Sequence, residues 1–321
     1  TTSQALAVPA LSAFDAQLKP SGDREFSTTM AFVRILTTLL RDKQIGKRVV
    51  PIVADESRTF GMEGLFRQLG IWSQSGAALP PRGRQPAHVL QGVHVGQMLQ
   101  EGINEAGALS SWLAAATSYS VSDTPMIPFY IYYSMFGFQR IGDLAWAAGD
   151  SRARGFLIGG TSGRTTLNGE GLQHEDGHSH LISATIPNCV SYDPTFAHEV
   201  AVIMQDGLRR MYAEQQDVFY YLTTLNENYT HPGMPEGRED EVREGIVRGM
   251  YLLREGTAAG KGPRVQLLGS GSILREVIAA ADLLENDFGV AADVWSCPSF
   301  TELSRDGITT DRWNMLHPGE Q

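Results

Sequence analysis

Short apolar runs alternate with helix-like stretches across residues 25–226, and this alternation limits the fold more than any other feature of the chain. The runs at 49–54, 126–133, 155–158, 181–186 and 218–225 are four to eight residues long and lack the polar alternation of half-exposed strands. Continuous runs of that length read as strands buried on both faces. Helical spacing falls between them, at 104–118, 138–148 and 194–214, and before the first at 28–41. In 28–41 a Ser27 or Thr28 N-cap precedes Phe32, Val33, Leu36, Leu39 and Leu40 on one side. Asp193 before Pro194 reads as an N-cap followed by the first helical position. Alternation of this kind predicts an α/β fold with a mostly parallel sheet covered by helices on both faces. Pro51 argues against a central position for the first strand, because proline cannot donate to a ladder.

The pattern breaks at residues 230–244, where His231-Pro232-Gly233-Met234-Pro235-Glu236-Gly237 is followed by mixed charge. A second α/β unit then begins, with a strand at 265–268, a helix at 273–286 and a strand at 290–296. The expected division is therefore a first domain over 1–230, a linker over 231–262 and the start of a second domain over 263–321. The chain opens at Thr1 without Met and stops after about one and a half units of the second domain, so it reads as an internal piece of a longer protein. Acidic residues outnumber basic ones, 36 to 26, and the resulting charge of −10 argues against a nucleic-acid partner, which needs clustered Lys and Arg. No run approaches the ~18 apolar residues of a membrane span. Two cysteines, Cys189 and Cys297, exclude a disulfide scaffold and fit a reducing, cytoplasmic setting. Residues 75–95 contain three Pro and no acid and read as a long surface loop.

Three polar clusters fall at the carboxyl ends of predicted strands, where open α/β sheets bind ligands. The first is Asp55-Glu56, read more simply as solvated acids opening a loop. The second is Glu105, in the first turn of a helix after Gly102-Ile103-Asn104, where an acid also suits the helix dipole. The third, at 168–180, carries His174, His178 and His180 among three acids and suggests a metal, but it has no helical His-x-x-x-His frame and no Cys. Gly269-Ser270-Gly271-Ser272 lacks phosphate-loop spacing and reads as a tight turn. The aromatic run 129–136 would ordinarily be core, but its doubled Tyr132-Tyr133 at a strand end allows a stacking pocket.

Taken together, several stretches resemble the homodimeric bacterial pyruvate dehydrogenases, a branch of the transketolase-like thiamine diphosphate enzymes. They include Val53-Ala54-Asp55-Glu56-Ser57-Arg58-Thr59-Phe60-Gly61-Met62-Glu63-Gly64-Leu65-Phe66 and Gln100-Glu101-Gly102-Ile103-Asn104-Glu105. Residues 129–140, 169–180, 226–229, 293–296 and 299–307 carry the rest. The resemblance covers nearly the whole chain except 75–95, where a reading-frame slip restored downstream is the preferred account. It implies that residues 1–230 form the middle, pyrimidine-binding domain and that the C-terminal domain begins after it. The family's Gly-Asp-Gly signature for diphosphate and Mg²⁺ is absent from this sequence, so those ligands are expected in an N-terminal domain outside it.

Residue by residue, Glu105 matches the family's cofactor-activating glutamate, and a carboxyl on the pyrimidine nitrogen is what that proton chemistry requires. Tyr133 and Phe136 match residues that pack on the pyrimidine, and His174 matches a histidine facing the substrate. Asp55 and Glu56 match further active-site acids, and Tyr133 is also expected at the substrate. The implied activity is oxidative decarboxylation of pyruvate with reductive acetylation of a lipoyl group. The implied partners are a second identical subunit and the lipoyl domain of the acyltransferase component. Two other readings stand beside this one: a catalytically silent scaffold or dimerisation module, and a metal hydrolase built on His174, His178 and His180.

Overall fold

In the computed structural model of the chain, which describes residues 3–54, 58–74, 92–93, 95–163, 171–257 and 262–320, the first long helix spans Thr28–Arg41. The Ser27 hydroxyl accepts from the Met30 N–H at 3.1 Å, as an N-cap does. Phe32, Leu36 and Leu39 on this helix are buried against the sheet that follows. Strands run in chain order β1 (Val49–Val53), β2 (Ile71–Trp72), β3 (Gly92–Val93), β4 (Leu99–Gln100), β5 (Ile127–Tyr133), β6 (Phe156–Gly160), β7 (Cys189–Tyr192) and β8 (Phe219–Thr223). Then come β9 (Tyr251–Arg254), β10 (Arg264–Gly269) and β11 (Ala291–Ser296).

Six of these strands form one all-parallel sheet in the order β4-β1-β5-β6-β8-β7. The helices Glu105–Ala116, Phe138–Asp150 and Ala197–Leu208 serve as crossovers, as a parallel sheet requires. Phe129 and Phe156 stack across β5 and β6 at 4.7 Å, and the Trp112 indole donates to the Phe156 carbonyl at 3.1 Å. Pro51 lies inside β1, between two neighbours rather than at an edge. The outer neighbour β4 pairs only at Ile52 and Val53, so the missing proline N–H interrupts no ladder there.

Two further expectations fail, beside that for Pro51. Residues 181–186 do not form a strand: the chain makes the helix Ser179–Ser183, with Leu181 exposed, and the strand is β7. Asp193 is not a helix cap. The helix starts at Ala197, and the Glu199 carboxylate takes the Thr195 and Phe196 N–H groups at 2.6 and 3.1 Å. Asp193 is claimed by tertiary partners instead, accepting from Thr223 Oγ1 at 2.5 Å and Ser270 Oγ at 2.9 Å.

The second sheet is three-stranded, in the order β10-β11-β9, with β10 parallel and β9 antiparallel to β11. The helix Glu239–Arg248 lies between the two sheets in sequence, and β9, which follows it, is the first strand of the second sheet. The helix Phe300–Leu316 packs beside β7, the edge strand of the large sheet. The Arg305 guanidinium donates to the carbonyls of Pro187 and Cys189 at 2.6 and 2.9 Å. The hydroxyls of Ser299 and Thr301 donate to the carbonyl of Ser191 at 2.6 and 3.0 Å. Among the described residues no helix is long and apolar enough to cross a membrane.

Candidate active site

The carboxyl ends of β1, β4 and β5 open on a cavity of ≈ 340 Å³. It is lined by Ala54, Ile103, Asn104, Glu105, Tyr130, Tyr132, Tyr133, Phe136, Arg140 and His174. Four side chains singled out in the sequence, Glu105, Tyr133, Phe136 and His174, therefore meet in one place, although they span 105–174 in the chain. Asp55 and Glu56 lie outside the described residues, as does 75–91 of the proline-rich segment.

Local chemistry sets each of these positions. The Asn104 side chain caps the helix Glu105–Ala116 by accepting from the Gly107 N–H at 3.1 Å, which puts Glu105 in its first turn. The Glu105 carboxylate pairs with Arg140, on the helix Phe138–Asp150. That guanidinium lies 4.4 Å above the centre of the Phe136 ring, so one cation serves a carboxylate and an aromatic face at once. His174 stands edge-on to both aromatics, 4.9 Å from Tyr133 at 67° and 5.0 Å from Phe136 at 71°. Phe60 supports Tyr133 from behind at 5.2 Å. Gly160, at the end of β6, lets Phe60 come this close, since a Cβ there would meet the Phe60 ring at 2.4 Å. Beside the carboxylate, burial and then the charges of Glu105 and Glu101 push the Tyr130 hydroxyl well above the usual phenol range, so it stays a protonated donor.

The three histidines go to three different neighbourhoods. His174 faces the cavity, His180 Nε2 meets Thr223 Oγ1 at 3.0 Å, and His178 is exposed at the start of the helix Ser179–Ser183. Among the described residues no three His, Cys, Asp or Glu side chains converge as a metal site would require. A larger cleft of ≈ 720 Å³ lies where residues 10–11 meet the helices Ala197–Leu208 and Glu239–Arg248. Its walls are mixed charges such as Asp206, Arg209, Glu244 and Arg248, with no aromatic plane. Sequence reasoning did not single out Arg140 or Tyr130. The one available signal was the spacing of Arg140 four residues after Phe136, one turn along the chain.

Comparisons with known proteins give a consistent picture. A family model described as the pyruvate dehydrogenase E1 component middle domain matches residues 6–232, and one described as the transketolase-like C-terminal domain matches 249–317. The pyruvate dehydrogenase E1 component of Cupriavidus necator is 68% identical over 99% of this chain, which corresponds to 35% of that protein. The Escherichia coli K12 protein of the same name is 64% identical over 98% of this chain and 35% of its own length. This chain thus spans about a third of the curated relatives it matches. Among solved structures, a transketolase from Campylobacter jejuni superposes with a TM-score of 0.65 at 18% identity, over 91% of this chain and 38% of that one. A transketolase from Leishmania mexicana gives 0.64 at 17%, over 92% and 39%. At such identities the likeness speaks for the fold.

Proposed function

Because the chain belongs to the pyruvate dehydrogenase E1 component family, we propose that it supplies the pyrimidine-binding half of an active site for thiamine diphosphate-dependent oxidative decarboxylation of pyruvate. One observation carries this reading: a carboxylate, two aromatic rings and an imidazole converge at the carboxyl ends of parallel strands. The donor set fits a planar heteroaromatic ring. A flat face on Phe136 or Tyr133 can stack on it, and a carboxylate can meet a ring nitrogen. Bound thiamine diphosphate supplies an electron sink for the pair released when CO₂ leaves a 2-oxo acid.

The chain's own residues have the complementary tasks. Glu105 would hold or release a proton at a carboxylate oxygen facing the pyrimidine nitrogen, and Arg140, which engages Oε1, steadies its position. Tyr133 and Phe136 fix the ring plane. His174, braced against both, donates to the substrate's carboxylate or to oxygen that gains charge during the reaction. Asp55 and Glu56, next to the cavity-lining Ala54 in sequence, are assigned to the same substrate pocket. The relatives are about three times longer than this chain. Mg²⁺ and diphosphate ligands are therefore assigned to sequence beyond it, as is the reductive acetylation of a lipoyl domain presented by an acyltransferase partner. A second identical subunit is the proposed source of the opposite wall. A division into 1–230, 231–262 and 263–321 belongs to the same proposal; the separate six- and three-stranded sheets support two units, and β9, within 231–262, belongs to the three-stranded sheet.

The test is a chimera in which this chain replaces the matching part of the Cupriavidus necator relative. It should bind thiamine diphosphate with Mg²⁺ in calorimetry and release CO₂ from pyruvate, whereas the 321-residue chain alone should bind weakly or not at all. A folded chimera that binds the cofactor yet leaves pyruvate intact would favour the silent-scaffold reading.

A further inference from the structure

Resting on the reading above, we propose that Asp176 is a positioning residue that holds the substrate-facing His174 in register with the aromatic turn bearing Phe136. Asp176 is buried, as are Ser134, Ser179 and Tyr221 around it. Its carboxylate accepts from the Ser134 hydroxyl on one oxygen. On the other it accepts from the backbone N–H groups of His178 and Ser179 at 3.1 and 3.0 Å. Ser179 closes the link by donating from its own hydroxyl to the Ser134 carbonyl at 3.1 Å. Ser134 Oγ also lies 2.8 Å from the Tyr221 hydroxyl. Burial by itself would drive a proton onto Asp176; the bonds from Ser134, Ser179 and His178 outweigh it and hold the group below the usual carboxylate range, as an anion.

The placement in sequence gives this network its purpose. Ser134 sits between Tyr133 and Phe136, and Asp176 follows His174 by two residues. One buried carboxylate thus ties the two segments whose side chains meet edge-on in the cavity. Space for the link is reserved by Gly159, since a Cβ there would come within 2.7 Å of Ser134 Oγ and 2.8 Å of Tyr221 Oη. Asp176 does not line the cavity, so it acts through His174 rather than on the substrate.

Two measurements test this. In the 321-residue chain itself, the His174 ring protons should carry ring-current shifts from Tyr133 and Phe136 in NMR spectra. Asp176→Ala should move them toward free-imidazole values while other dispersed signals persist; unmoved signals would overturn the proposal. In the chimera, Asp176→Ala should lower kcat/KM for pyruvate by about ten-fold or more, because small misplacements of reacting groups cost that much. Thiamine diphosphate affinity should stay within about two-fold, because the residues proposed to hold the ring remain in place. In a His174→Ala background, Asp176→Ala should cost little more, and a full additive loss would overturn the positioning role. Asp176→Asn, which still accepts both backbone bonds, should restore most of the rate. If Asp176→Ala does not fold, Ser134→Ala decides, since unchanged turnover there would also overturn the proposal. A wild-type chimera inert toward pyruvate would count against the proposed function, and the NMR result would still judge the Asp176 link.

Discussion

Phe129, Ile131, Phe156 and Tyr221 in the six-stranded sheet are wholly buried, whereas in the three-stranded region Leu268, Leu283, Phe288 and Ile308 are 45 to 73% exposed. Strand β10 alternates exposed and half-buried residues until it reaches Gly269, while β6 and β8 are buried along their whole length. The large sheet closes its own core, and that rigidity lets its open rim hold ion pairs and edge-on rings in fixed geometry. The small sheet leaves apolar side chains to solvent, and the cleft of ≈ 620 Å³ beside it is lined by Glu25, Arg254, Arg275 and Glu276 together with Phe196 and Tyr229.

The largest expected effect separates the two regions by chemistry. Glu105→Gln in the chimera should slow pyruvate turnover by about a thousand-fold, within the range ascribed to a lost proton-transfer group. The same exchange at exposed Glu276, in the small region, should leave the rate unchanged. Steady-state assays of both variants would break the comparison if the losses were similar.

Next in size is packing. Phe129→Ala empties a fully buried site and should cost about 3–5 kcal/mol in denaturant unfolding. Phe288→Ala, at a position 73% exposed, should stay within about 0.5 kcal/mol. Equal costs would mean that the small region is as tightly packed as the large one.

A third expectation concerns pH. The His231 ring stacks on Phe26 at 4.2 Å, accepts from the Ala197 N–H at Nδ1 and donates from Nε2 to the Phe26 carbonyl. Burial, opposed by that carbonyl, lowers its pKa to about 4 from an ordinary 6.5. The unfolded chain therefore takes up a proton at higher pH than the folded one. Stability is complete above about pH 6.5 and is lost as pH falls toward 4, by about 3 kcal/mol at the lower end. Melting temperatures between these pH values, with His231→Gln as the flattened control, would sharpen which region acid loosens first. The smallest effect should come from Ile308→Ser, which ought to reduce self-association in sedimentation runs and leave stability within about 0.5 kcal/mol.

Much of this was legible in the sequence wherever local signals and tertiary packing agree. The helix Thr28–Arg41 falls where its serine cap and apolar face indicate, and Glu105 opens the helix expected of it. The strand expected at 181–186 became a helix because a short apolar run does not distinguish the two. The buried Asp176 carboxylate, invisible to periodicity, caps the N–H groups of His178 and Ser179 at its start. Asp193 misled for the opposite reason: a residue suited to capping was taken by Thr223 and Ser270, both distant in sequence. The Glu105–Arg140 pair joins residues 35 apart, and no local spacing rule reaches that far.

The hydroxyls and guanidinium donated by residues 299–305 to the carbonyls of Pro187, Cys189 and Ser191 bear on how such a chain is made. These three carbonyls alternate along one side of the edge strand β7 and the residues leading into it, the template on which a neighbouring copy could add a strand of its own. During synthesis that side stays bare until more than a hundred further residues have left the ribosome. Crowded nascent chains would be most prone to stick together in that interval, and the late arrival of Arg305 ends it.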